Sequence, residues 1–458
     1  MALAASVLEQ AYRYPFESSV IADGSRARLR LATSGGPAAN PEFFRGRLLE
    51  PVVASDLLLT IGDVARARFH VPPAMLARIL LLADPVATCA DERLRFEAFS
   101  ACCSVYGRAD FLPAGFDGEM VGRGTTNVDM GTRLRAALAG IQDRGNLGLS
   151  VGESVVEVTA DGESAIERRV PLPSRWVRGF VEVQAIMADL EPAASADGSG
   201  ARLFFRSIPK SPPKAPVWVG PVGSGLRLSH HDAGRGSIPV SGIGRLRLFE
   251  RAARHATGLR LYALGGDGST GWQLDVPGGR LTIVLSPEVW RGFSGEGRAL
   301  HRLAAGAGSA SVAGVRAALG WEPRLGVEAL AERTRLPPRD IEAALARLAT
   351  SGAVGFDLAD GGFFRRELPF DVDRDERLQP RLRDAKRLVA ADAIRVETAS
   401  ETEVVAWVAG AGGVEYQVRS SATGGWTCTC PWYGRHRGDR GPCKHVLAVQ
   451  LRAANDGR

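Results

Sequence analysis

Near its C-terminal end the chain reads GGWTCTCPWYGRHRGDRGPCKHVLAVQL. Cys428 and Cys430 are separated by one residue, twelve residues follow, and Cys443 and His445 repeat the first spacing. Thiolate and imidazole in sets of four are the donors that structural zinc takes, arranged as a tetrahedron. On a strand, residues i and i+2 face the same way, so GWTCTCPW can present Cys428 and Cys430 together. Cys443 follows Pro442 and precedes the apolar-periodic run HVLAVQLRAA. The second pair is therefore expected at a helix start, where the helix dipole favours thiolate. The Gly-rich stretch PWYGRHRGDRGP between the pairs can close the ring. Four protein ligands fill the coordination shell, whereas a catalytic zinc keeps one position for water. One structural Zn2+ is expected, serving folding with an apparent binding energy on the order of 10–16 kcal/mol. A ββα unit of this size cannot bury enough core without such a staple.

Cys-x-Cys followed by Cys-x-His, with the hairpin TEVVAWVAGAGGVEYQVRSSATGGW before it and CKHVLAVQL after it, resembles the SWIM zinc finger. That resemblance implies a protein that binds DNA or other proteins. His436 lies in the loop as a fifth candidate ligand, but the set of four is complete without it. The loop also carries Arg435, Arg437, Arg440 and Lys444 against Asp439, with Trp432 and Tyr433 beside them. Basic residues interleaved with aromatics suit phosphate contact and base stacking. The competing reading is that the two rings cover the metal site and the arginines are solvated. FFRGRLLEP, LRFEAFSACCSVYGRADFLP, TTNVDMGTRLRAAL and RGFSGEG resemble a bacterial family of SWIM-containing proteins associated with MoxR-type AAA+ ATPases and von Willebrand A-type partners. The resemblance implies an adaptor in an ATP-driven assembly and supplies no catalytic residue.

Other signals for chemistry fail on context. GDGSTG at 266–271 matches G-x-G-x-x-G, but a dinucleotide site needs a strand before it and a helix after it. LRLYAL precedes and WQLDV follows, so a hairpin turn is expected. A kinase loop also sits between strands, but Gln273 stands where its Val would be, and neither His-Arg-Asp nor Asp-Phe-Gly occurs. P-loop, His-Glu-x-x-His and Gly-x-Ser-x-Gly patterns are missing. His230 and His231 are adjacent and diverge, and His70, His255 and His301 stand alone in sequence. Asn127 and Asp129 precede a helical stretch, where capping explains them. No enzyme is expected.

The elements that must position the finger follow from periodicity. Residues 1–145 read as a mixed α/β domain: EFFRGRLLEPVVASDLLLTIGDVARARF has helical spacing, RLRFEAFSACCSVYGRADF alternates like strands, and TRLRAALAGI is helical. Residues 146–300 read as a β-rich sandwich or open barrel with strands SVVEVTA, SAIERRVPL, ARLFFRSI, APVWVG, GLRLS, LRLYAL, GWQLDV and RLTIVLS. PEVWRGFSGEGRALHRLAAGAG then reads as helix. Residues 301–370 are helical and winged-helix-like: GVEALAERTRL, then PPRDIEAALARLATSG, then two short strands around Gly361 and Gly362. The second of these helices carries Arg339, Asp340, Glu342 and Arg347 and is nearly neutral. A helix that reads base edges offers more Arg, Lys, Asn or Gln, so a structural or protein-contact role is favoured. Residues 371–399 read as a charged linker or helix, and 400–458 as the finger. The fold class is α+β and multidomain.

Composition agrees. At 458 residues, with 45% hydrophobic and 24% charged content, roughly three or four globular domains are expected. A net charge of +6 permits nucleic-acid binding but is a weak field over such a surface. Arg favoured over Lys, with abundant Ala and Gly, suggests a high-GC bacterial genome. The remaining cysteines, Cys89, Cys102 and Cys103, read as buried small hydrophobes, the adjacent two pointing to opposite faces of a strand. No run approaches the roughly 18 apolar residues of a membrane span, and the N-terminus has no signal-peptide pattern, so a cytoplasmic protein is expected. Two functions fit: a protein-interaction adaptor, or a nucleic-acid binder using the finger loop.

Overall fold

The computed structural model describes residues 8–14, 17–23, 26–33, 42–70, 84–141, 147–151, 166–172, 174–211, 213, 215–234, 236–264, 268–295, 297–300, 309–368, 379–400, 402–421, 425–438 and 440–455. SVVEVTA, His301 and residues 371–378 of the charged run 371–387 lie outside them.

The largest element is an eight-stranded antiparallel sheet. Across it run Glu191–Asp197, Gly258–Ala263, Thr270–Val276, Gly279–Leu285, Val105–Phe111, Arg93–Phe99, Val86–Ala90 and Gly124–Asn127. Four of these strands precede residue 145 and four follow it, so the division expected there runs through one sheet and one continuous core. The join is the pairing of Gly279–Leu285 with Val105–Phe111 over all seven residues of each. The described part of GDGSTG, residues 268–271, leads into the strand Thr270–Val276, the antiparallel neighbour of Gly258–Ala263, and is followed by no helix.

Alternation gives the two faces different chemistry. On one face Gly107 approaches Val64 and Ile61 of the helix Pro51–Arg66. That helix starts on a proline at its first turn and buries Leu57, Leu58, Ile61 and Val64. The register brings together, on the other face, the rows Arg95–Asp110–Arg280, Glu97–Arg108–Thr282 and Phe99–Tyr106–Val284. This polar face is also buried. It is covered by the helix Ser174–Asp189 and by the winged-helix-like unit: Phe180 stacks edge-on against Phe99, and Gln184 accepts from the Phe356 amide.

The winged-helix order expected after residue 301 is present among the described residues. Helices Ser309–Ala318, Val327–Thr334 and Pro338–Thr350 enclose Val315, Leu330, Ile341, Leu345 and Leu348. The antiparallel pair Val354–Asp357 and Gly362–Arg365 forms the wing. Asp357 of the wing lies 2.8 Å from Arg108 and 3.0 Å from Arg280, Asp360 lies 2.9 Å from Arg280 and 2.5 Å from Arg93, and Arg366 lies 2.7 Å from Glu97. Burial works against the Asp357 charge, but Arg108, Arg280 and Arg95 outweigh it and hold its carboxyl below the ordinary range. At Arg95 burial wins, and the group falls to about 10 despite Asp110 and Asp357.

Several local expectations are corrected. ARLFFRSI is not a strand but most of the helix Gly198–Ser207, capped by Asp197, whose side chain accepts from the Gly200 amide at 2.7 Å. Ala201, Phe204, Phe205 and Ile208 are buried at helical spacing. Cys102 and Cys103 lie in the turn after Arg93–Phe99 rather than on a strand, and both are buried. Asp129 does not cap the helix Thr132–Ala139, whose N-cap is Gly131 with no side-chain bond; it accepts from the Ser18 amide at 3.1 Å. His255 is not isolated, since its Nε2 lies 2.6 Å from Asp56. Of PEVWRGFSGEGRAL, expected as helix, the described part contains a 3-10 turn, Phe293–Gly295, and is α-helical at residues 299–300. Residues 198–207 and 174–189 also make the 146–300 region less purely β than expected.

Candidate metal centre

The C-terminal unit is a four-stranded antiparallel sheet, Ile394–Ala399, Val404–Ala409, Glu415–Ser420 and Trp426–Cys428, in that spatial order. Helices Pro380–Ala390 and Lys444–Asn455 pack on one another and share its core, which includes Leu382, Ala385, Val408, Val418, Val446 and Leu447. The unit therefore begins at about residue 380. The segment 380–399, expected as charged linker or helix, supplies a core helix and an edge strand. Leu300, far upstream in sequence, is buried in the same core.

Cys428 ends the last strand. Cys430 caps a short helix, Pro431–His436, that sequence reasoning took for loop; its sulfur accepts from the Tyr433 amide at 3.4 Å. Cys443 immediately precedes Lys444–Asn455, as expected, and its sulfur accepts from the Val446 amide at 3.5 Å. Both sulfurs thus face unsatisfied amides of a helix start, which stabilise thiolate. His445 follows in the first turn, its ring 4.7 Å from that of Tyr416.

The four side chains are buried and converge, with all four donor atoms within 4.8 Å of one another. His445 Nδ1 lies 3.8 Å from Cys428 Sγ and 4.0 Å from Cys443 Sγ. A tetrahedron with zinc–sulfur and zinc–nitrogen bonds of ordinary length has edges of about 3.5–3.8 Å, so the cluster fits one zinc ion with Nδ1 as the imidazole ligand. Hydrogen bonds from the Cys428 and Cys443 thiols push Cys430 well down, and donation to its neighbours holds Cys428 well up. Three sulfurs and an imidazole leave no protein ligand to add, and His436 lies outside the group, with its ring against Trp432 at 4.8 Å.

Residues 414–453 match the SWIM zinc finger family. The chain carries a SWIM zinc finger. The zinc-ligand set read from sequence coincides with the cluster the fold assembles inside the matched segment. No curated protein matches the chain. Among solved structures it is similar to the crystal structure of proliferating cellular nuclear antigen from Entamoeba histolytica, at 10% identity and a TM-score of 0.35, over 54% of this chain and 100% of that one. A likeness of that size carries no argument.

The loop residues singled out for nucleic acid divide into two groups. Arg435 and Arg437 are exposed, and Arg440 and Lys444 are half-buried. Trp432 and Tyr433 are half-buried on the SWIM core. The Tyr433 hydroxyl donates to the Trp426 carbonyl at 2.9 Å, and the Arg381 guanidinium lies 4.9 Å from the Trp432 ring centroid. Sequence reasoning missed Arg381. It donates to the Arg440 and Pro442 carbonyls, 2.6 and 2.9 Å away, and so straps the SWIM loop just before Cys443. Beside the Arg381 guanidinium, Gly441 meets Gly297 backbone to backbone, both at positive φ, with no room for a Cβ on either. The strap thus also fixes the finger to the segment that follows the large sheet. Next to it, Glu182 is buried and accepts from the Ala299 amide at 3.1 Å. No helix among the described residues is long and apolar enough to cross a membrane.

Proposed function

We propose that the chain is a non-enzymatic, cytoplasmic adaptor whose SWIM finger, braced by one structural zinc, presents a protein-binding surface. A MoxR-type AAA+ ATPase assembly is the partner class that the sequence resemblance suggests. The observation that carries this reading is the engagement of Trp432: Arg381 lies over its ring while also holding the loop carbonyls. A ring held this way suits a cover for the metal site better than a platform for bases. The wing supports the same reading. Asp357, Arg366 and the Phe356 carbonyl are committed to the sheet, so the edge a DNA-binding wing would use serves internal packing.

Nucleic-acid binding is the second reading, favoured by the exposure of Arg435 and Arg437. A titration of the full chain with DNA and RNA at low and moderate salt separates the two. The adaptor reading expects no salt-sensitive binding, and capture of the ATPase that is lost in Cys428→Ser. Binding that falls steeply with salt and weakens in Arg435→Ala and Arg437→Ala would establish the nucleic-acid reading instead.

A further inference from the structure

Away from the finger, a cavity of about 370 Å³ opens beside the C-terminal end of the helix Gly198–Ser207. Five of its lining side chains are cationic, Arg202, Arg206, Lys210, Arg247 and Arg254, and Glu250 is the one acid among them. Three of the five are anchored. Arg202 donates to the Ala256 carbonyl at 2.7 Å, Arg247 to the Ile208 carbonyl at 3.1 Å and to Glu250 at 3.2 Å, and Arg254 to Asp56 at 2.8 Å. Arg206 and Lys210 are exposed and have no anionic partner among the described residues.

Residues 202, 206 and 210 follow one another at intervals of four. On the helix, Arg202 and Arg206 repel one another at that spacing, and among the described residues no anionic group pairs with Arg206 or with Lys210, which lies just beyond the helix end. Carbonyls of the helix end would repel an anion, and those of Phe204, Phe205 and Ile208 already accept hydrogen bonds. Ser207 Oγ donates to the Phe204 carbonyl, the Ile208 amide to that of Phe205, and Arg247 to that of Ile208. Phe205 and Ile208 floor the cavity. It is thus a compact hollow with pre-positioned guanidinium groups, two uncommitted cations at its rim and a small apolar base.

We infer that this cavity binds a small multivalent phosphate anion, the phosphate chain of a nucleotide or an inorganic polyphosphate. Guanidinium groups already fixed by backbone carbonyls and carboxylates lose little freedom when they donate to a pair of phosphate oxygens. A hollow of about 370 Å³ takes a small anion, whereas a polymer backbone needs a longer track.

The test is calorimetric titration of the full chain with tripolyphosphate and, separately, ATP, at one fixed ionic strength, with sulfate as control. The inference expects both to bind more tightly than sulfate, and at least tenfold more weakly to the R206Q/K210Q double variant. Lys210→Ala alone, outside the helix, should weaken binding in the same direction and guards against a folding defect in the double variant. Equal affinity for tripolyphosphate and ATP means the phosphate chain alone is read; tighter ATP means the Phe205 and Ile208 floor takes the base. Absence of binding, affinity unchanged in both variants, or single-stranded DNA binding here while tripolyphosphate fails would each overturn it. Cys428→Ser should retain the binding, which separates this site from the adaptor reading of the finger.

Discussion

Asp357 of the wing lies 2.8 Å from Arg108 in the middle of the eight-stranded sheet, although 248 residues separate Arg108 from the neighbouring wing residue Phe356, whose carbonyl Arg108 also holds. Both charged side chains are buried. Removing the Asp357 charge leaves buried Arg108 and Arg95 to share Asp110, 3.0 and 3.3 Å away, and breaking a buried ion pair costs about 3–5 kcal/mol. Asp357→Asn is therefore expected to destabilise the chain by about that amount in denaturant unfolding, with hydrogen exchange accelerated first in 354–366. The pH dependence has a definite sign. The folded carboxyl sits below its ordinary value, so its contribution is complete above the ordinary carboxylate range, about 4, and is lost as pH falls through the lower folded value. Asp357→Asn should flatten that acid limb.

Glu182 has the opposite sign. Burial pushes its carboxyl up to about 7, against the lowering by the Ala299 amide and the Arg381 charge. The folded chain then holds a proton that the unfolded chain has released, so stability falls as pH rises from about 4.5 through about 7. Full ionisation costs on the order of 3 kcal/mol. Glu182→Gln should melt higher than the wild type at pH 8 and nearly match it at pH 4.5; identical pH profiles would show that the group titrates normally.

Gly441→Ala tests the strap. Its φ is +70°, and a Cβ would lie 2.1 Å from the Gly297 carbonyl oxygen, which is backbone and cannot swing aside. Left-handed strain alone costs about 1 kcal/mol, and the clash adds to it. The expected result is a loss of well over 1 kcal/mol, with faster hydrogen exchange in 437–443 and weaker zinc retention against a chelator. Arg381→Gln should loosen the same segment by removing the bonds to the Arg440 and Pro442 carbonyls.

What the sequence revealed depended on whether the signal was local. The zinc set could be read because ligand spacing is itself the chemistry. The unit around it could not: Pro380–Ala390 buries Leu382 and Ala385, and of Ile394–Ala399 only Ile394 is buried, so both look like solvated, charged chain. ARLFFRSI carried its helical spacing openly, but its aromatic content suggested a strand and ADGSG a turn, where Asp197 is in fact a cap. Arg95, Glu97, Arg108 and Asp110 alternate with apolar residues, which reads as a half-solvated sheet. Their burial comes from a wing that the chain reaches only after residue 353, and no local pattern announces it.

The most direct test of the central claim is the zinc content of the purified, reduced full chain, measured by elemental analysis alongside Cys443→Ser. The four converging donors predict one zinc per wild-type chain, and in the variant its loss on dialysis against chelator, with unfolding of 380–455. A wild-type chain without zinc, or a variant that keeps its zinc and its C-terminal order, would contradict the assignment.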